Sequence, residues 1–196
     1  MSDCLFKELT KWDPKKPRAS PKKQVAVALI LWLWLQLSTI ITATGFQTFP
    51  TLQQSANREA GKLWNLYYKR GVSPTHLAAG AIFRKSLFSS VAEETLFRVF
   101  ALKILHRKLG LRPMVANFFQ AIFFGALHLT NVVKGAQGLM ISIFQSAIAS
   151  ISFFLYGWSV LATNSIFPAV IVHFLGNLQF SLEDAAGYRE FYNEKK

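Results

Sequence analysis

The chain has 196 residues, 52% of them hydrophobic and 14% aromatic, with 22 Lys and Arg against 10 Asp and Glu, a formal net charge of +12. Its mean hydropathy of +0.26 is high for a soluble domain, and the apolar residues fall in long blocks, which excludes an ordinary water-soluble globule. A single cysteine, Cys4, excludes an intrachain disulfide and a multi-cysteine metal site, and no lipidation motif surrounds it.

The expected fold class is all-α, a multi-pass transmembrane helical bundle of about five membrane helices. Residues 1–23 are polar and basic, with Pro14, Pro17 and Pro21, and read as a basic disordered arm rather than a cleavable leader. Residues 25–45 form the first apolar run, containing Trp32 and Trp34. Together, residues 24–85 make a first membrane helix plus an interfacial segment, where Trp64, Tyr67 and Tyr68 lie beside Lys62, Lys69 and Arg70. The stretch 75–83 is too short to span alone; it extends the next helix or lies along the surface. Residues 86–182 form the membrane core, with helices expected over 86–105, 114–129, 138–161 and 166–182. A polar tail, 183–196, closes the chain. Cations lie between and beside the apolar blocks, so anionic lipid head groups are the expected partner and nucleic acid is not. They divide almost evenly between the two faces of a five-helix chain, with a slight preference for a cytoplasmic N-terminus.

Within the second membrane helix, Glu93, Glu94 and Arg98 stand among apolar residues. Ionisable groups at that depth are costly and face a bundle interior or a wet cavity. Glu94 and Arg98 are i and i+4, within reach of an ion pair. Glu93 points roughly 100° away, on the face of Phe97, and has no evident partner. A carboxylate in such a place is a candidate general base; the competing reading is an ion network that only holds helices together. Of the four histidines, His76 and His106 sit near segment ends, where a water-facing imidazole requires no special role. His128 and His173 lie inside apolar helices. Phe124 precedes His128 by four, so its ring can stack over the histidine and hold its orientation, and Asn177 follows His173 by four. Each polar group requires a partner in lipid, and the cheapest arrangement groups them around one cavity. A carboxylate with a histidine can deprotonate water, and a second histidine with an amide can hold an oxyanion. Glu93, His128 and His173 could instead bind a divalent metal such as zinc. The G-x-S-x-G and H-E-x-x-H patterns do not occur.

Three blocks, Glu93-Glu94-Thr95-Leu96-Phe97-Arg98, Phe124-Gly125-Ala126-Leu127-His128 and His173-Phe174-Leu175-Gly176-Asn177, fit E-E-x-x-x-R, F-x-x-x-H and H-x-x-x-N. In this order they resemble the CPBP family of intramembrane proteases, related to the Rce-type CAAX prenyl endopeptidase and to bacteriocin-immunity (Abi) proteins. The resemblance covers about residues 86–180 and implies a four-helix core. It implies that Glu93 activates water with His128 and that His173 and Asn177 stabilise the oxyanion. Glu94, Arg98, Phe124 and Asn131 would then be supporting residues, Asn131 through the His128-Leu129-Thr130-Asn131 extension. Val99 stands where the family often has glycine, and the chain is shorter than the prenyl endopeptidases.

The expected function is therefore an intramembrane endopeptidase acting on a membrane-associated protein or peptide. A non-catalytic membrane interaction, immunity or adaptor protein of the same fold is the alternative, and a small proton or ion transporter a third reading.

Overall fold

The computed structural model describes residues 11–13, 15–133 and 137–196, and among them the secondary structure is helical throughout. Helix α1 is Pro21–Thr48 and α2 is Pro50–Lys69. Helix α3 runs unbroken over 74–107, and α4 is Pro113–Leu127. A single turn, α5, Thr130–Val133, leads to α6, Leu139–Thr163, and α7, Phe167–Lys195. Cys4 and the first ten residues of the arm lie outside the described residues, as does Lys134 of the loop before α6.

Proline starts helices here rather than breaking them. Pro21, Pro50, Pro74, Pro113 and Pro168 all occupy first-turn positions, where the missing N–H has no intrahelical acceptor to lose. Ser20 caps α1 and Ser73 caps α3, each accepting from a backbone N–H three residues on.

Three helices among the described residues are long and apolar enough to cross a bilayer: α1, the stretch Pro113–Val133 that contains α4, and α6. No more than 28% of each apolar window is buried inside the protein. Leu29, Ile30 and Leu33 on α1, Phe118, Phe119, Ile122 and Phe123 on α4, and Met140 and Ile143 on α6 all face outward. Meanwhile Glu94, Arg98, Asn117, Gln120 and His173 are inside. A water-soluble chain would invert this pattern; in lipid it is the economical one. The molecule is an integral membrane helical bundle.

The interior is built by α1, α3, α4, α6 and α7 around Leu31, Leu35, Phe97, Phe124, Phe153, Tyr156 and Val172. Helices α4 and α6 pack along their length because Gly125 and Gly157 leave room. A Cβ at Gly125 would overlap the Ser150 hydroxyl and lie 2.5 Å from the Ser146 carbonyl oxygen. Gly125→Ala is accordingly expected to cost about 1–3 kcal/mol by overpacking, read as a fall in thermal stability in detergent.

Three sequence expectations change. Helix α3 begins at Pro74 and crosses the boundary expected at 85/86, and of the two readings of the 75–83 stretch the first holds: it extends the glutamate helix. The tail beyond 182 is not a separate segment, because α7 continues to Lys195. It is held by Trp64 Nε1 donating to Asp184 Oδ1 (3.0 Å), by Tyr188 Oη donating to the Val72 carbonyl (2.6 Å) and by the Tyr67–Tyr188 edge contact. The third change concerns residues 11–20, expected to be disordered. Asn164, left-handed at φ 52°, ends α6. Its Nδ2 donates to the carbonyls of Asp13 (2.9 Å) and Lys16 (2.7 Å), and its Oδ1 accepts from the Asp13 N–H (2.6 Å). Ala19 N donates to the Thr163 carbonyl at 2.8 Å, and Trp12 meets His106 at the end of α3. The second half of the arm is thus a strap docked across one end of the bundle. Asn164→Gly keeps the left-handed backbone and removes the carboxamide. With each lost hydrogen bond worth about 1 kcal/mol, trypsin is expected to cut at Lys15 and Arg18 roughly tenfold faster or more.

Candidate active site

Helix α3 widens into π-helical turns over Ala81–Phe88 and Thr95–Ala101, and the α-helical turn between them, Ser89–Glu94, carries the two glutamates. Such local widening is frequent at functional sites because it re-aims the side chains that follow. Glu94 is fully enclosed: Oε2 accepts from Arg98 Nε at 2.8 Å, and both side chains have no exposed surface. The Arg98 guanidinium lies over the Phe153 ring, 4.2 Å from its centroid, so its charge is shared between a carboxylate and a π face.

Helix α7 faces this turn. His173 Nδ1 is 3.0 Å from Glu94 Oε1, and His173 Nε2 is 3.6 Å from Glu93 Oε2. One imidazole is thus bracketed by consecutive carboxylates. Its ring is seated against Tyr156, centroids 5.5 Å apart, and edge-on to Phe153. One turn further along α7, Asn177 Nδ2 donates to Ser90 Oγ at 3.0 Å. A second turn on, Ser181 lies 3.4 Å from Ser86. Antiparallel α3 and α7 are therefore registered by polar pairs at every fourth residue: Glu94–His173, Ser90–Asn177 and Ser86–Ser181. A one-turn slip would misalign all three, so this ladder fixes the position of the histidine.

Glu93 is the exposed member, with 34% of its side chain accessible. The expectation that it lacks a partner is corrected, because Ser89 Oγ donates to its Oε1 from four residues back and His173 faces its Oε2. His128 ends α4, half-buried, with its ring edge-on to Phe124 at 5.3 Å. Among the described residues it has no hydrogen-bonded side-chain partner, but it lies within electrostatic reach of both Glu93 and His173. Phe124 is fixed in turn by Phe97 and Phe153. Asn131 is not drawn into the group; its Nδ2 donates to Gln137 Oε1 at 3.2 Å and organises the loop before α6. His76 and His106 also lie away from it, His76 bonded to Ser73 and His106 to the Leu111 carbonyl.

The structure adds Ser89, Ser90, Phe153 and Tyr156 to the residues around the site. The i−4 spacing of Ser89 to Glu93 was visible in the sequence. The aromatic seat from α6 was not, because nothing local distinguishes Phe153 and Tyr156 from lipid-facing residues.

Among the described residues no group of three His, Cys, Asp or Glu side chains is arranged to hold a metal ion. His173 turns Nδ1 to Glu94, while His128 faces Glu93 and His173 from α4 within electrostatic reach of both. What the arrangement offers is an accessible carboxylate beside an oriented imidazole, with a second carboxylate neutralised by arginine behind it.

The candidate site is thus a pair of adjacent glutamates on one helix of a membrane bundle, with histidines and an asparagine on the facing helices. The model of the family described as type II CAAX prenyl endopeptidase Rce1-like matches residues 75–179, and the chain belongs to that family. No curated protein and no solved structure matches it.

Proposed function

We propose that the protein is an intramembrane endopeptidase that hydrolyses a peptide bond of a membrane-associated protein or peptide, with Glu93 as general base. The observation that carries this reading is the division of labour between adjacent carboxylates. Glu94 is sealed and paired with Arg98, while Glu93 is accessible and set 3.6 Å from His173. In this mechanism a water held between Glu93 and His128 gives a proton to the Glu93 carboxylate as its oxygen attacks the carbonyl carbon. The negative charge that develops on the carbonyl oxygen is met by N–H groups of His173 and Asn177. Collapse of the tetrahedral intermediate breaks the C–N bond, and Glu93 returns the proton to the departing amine.

Glu94 supports the histidine's part. A carboxylate only accepts hydrogen bonds, so Glu94 Oε1 beside Nδ1 requires Nδ1–H. For Nε2 to donate as well, the ring must be an imidazolium. Asn177→Ala removes one oxyanion donor, and kcat is expected to fall about 10²–10³-fold with little change in KM.

Five crossings, with α3 and α7 joining the three apolar helices, suit this chemistry, because α3 and α7 bring the polar groups together in the bundle interior. At 1.5 Å per residue α7 is roughly 43 Å long and α3 longer still, more than a bilayer core requires. The test is cleavage of a quenched fluorescent peptide library by detergent-purified protein, parent beside Glu93→Gln, with and without chelator. Cleavage by the parent that survives chelator and is lost in the variant supports the glutamate-activated water. Loss with chelator points to a metal, and a fully active variant sinks the mechanism.

A further inference from the structure

The strap and the end of α3 form a half-open cavity of about 370 Å³, lined by Trp12, Asp13, Lys15, His106 and Arg107. We propose that this cavity binds the phosphate-bearing head group of an anionic phospholipid, and that the lipid seals the strap to the bundle.

The position of the cavity is the first argument. The start of α1 at Pro21, the start of α4 at Pro113 and the end of α6 at Thr163 all lie at this face, so the cavity is level with one end of each apolar span. That is the height of lipid head groups. The second argument is its charge. Asp13 is already engaged: Oδ1 accepts from the Lys15 N–H at 3.0 Å, and Oδ2 lies 3.9 Å from Lys16 Nζ. Lys15 forms no ion pair among the described residues. Arg107 spends one guanidinium N–H on the Trp12 carbonyl, at 3.4 Å, and retains four. Two cations therefore share a small concave space with one acid that other groups neutralise.

The walls give the third argument. The Trp12 indole, packed on the edge of the hydrophobic core and tilted against His106 at 5.5 Å, is an amphipathic ring of the kind that anchors at the bilayer interface. The His106 ring is held in place by its Nδ1 contact with the Leu111 carbonyl, 2.8 Å. Together they offer an apolar wall for the glycerol backbone beside cationic donors for the phosphate. A soluble anion would use only the second half of this design.

The experiment is native mass spectrometry of the full chain released from mixed phosphatidylglycerol and phosphatidylcholine bilayers, counting retained lipids. Phosphatidylglycerol is expected to be retained in preference to phosphatidylcholine. At about a factor of five per cation, Lys15→Ala should lower that retention roughly fivefold and Lys15→Ala/Arg107→Gln roughly 30-fold. Lys196→Ala, at the far end of α7, should leave it unchanged. Lys15→Ala removes only a solvent-facing amine, so the result stands even where the Arg107 change loosens the strap. Retention without preference for phosphatidylglycerol, a double variant that binds as the parent does, or displacement of the lipid by millimolar inorganic phosphate would each overturn the assignment.

Discussion

Glu93→Gln is expected to lower peptide hydrolysis by roughly 10²–10⁴-fold, the usual contribution of a positioned general base. Glutamine keeps the length of the side chain and can still accept the Ser89 hydroxyl at Oε1, so the local geometry is retained. What is lost is basicity. Because Glu93 is accessible and its contact with His173 is long, thermal stability should change by less than about 1 kcal/mol, within the range of surface substitutions. The separation of a large kinetic effect from a small stability effect distinguishes a catalytic carboxylate from a structural one. Parent and variant are compared by cleavage rate and by thermal unfolding in the same detergent. A variant that unfolds early and loses activity in proportion would assign Glu93 to the scaffold instead.

Arg98→Met should show the opposite pattern. The guanidinium and Glu94 have no exposed surface and are bonded at 2.8 Å, so removing the cation leaves a buried carboxylate with only His173 beside it. Breaking a buried pair from one side costs about 3–5 kcal/mol, because the remaining charge stays desolvated. Methionine fills much of the same volume and can still lie on Phe153, which isolates the charge as the cause. Adding Glu94→Gln should recover part of the loss, since the double variant strands no ion. Unfolding temperatures of the parent, the two single variants and the double variant form a closed cycle. Arg98→Met as stable as the parent would show that Glu94 does not depend on this partner. Activity should fall with Arg98→Met as well, because Glu94 orients His173.

The two substitutions act on neighbouring turns of one helix, and their contrast follows from burial alone. Both carboxylates stand in the same six-residue helical turn, and a one-residue offset gives one of them to water and the other to the interior.

The amino-acid sequence by itself determined the class of this protein and the side-chain pairs that form within single helices. Long apolar blocks require lipid, and continuous apolar runs of about 20 residues fit helical spans rather than the short alternating strands of a barrel, so the all-α membrane bundle follows from hydropathy without tertiary information. The Glu94–Arg98 pair follows from i, i+4 spacing, and proximity of Phe124 to His128 follows from the same rule, although the rings meet edge-on rather than stacked. Single-helix geometry could not say which residue on another helix each group would meet. That Glu93 and Glu94 both reach His173, that Ser90 holds Asn177, and that Phe153 and Tyr156 seat the imidazole depend on how α3, α6 and α7 pack. Asn131 shows the converse: adjacent in sequence to the His128 turn, it bonds Gln137 in the loop instead. The strap was equally invisible, because a polar segment rich in Pro and Lys reads as disordered until Asn164, some 150 residues away, supplies its hydrogen-bond partners. Local periodicity is written in the chain; the pairing of distant polar groups is decided by the register of packed helices, which only the folded bundle sets.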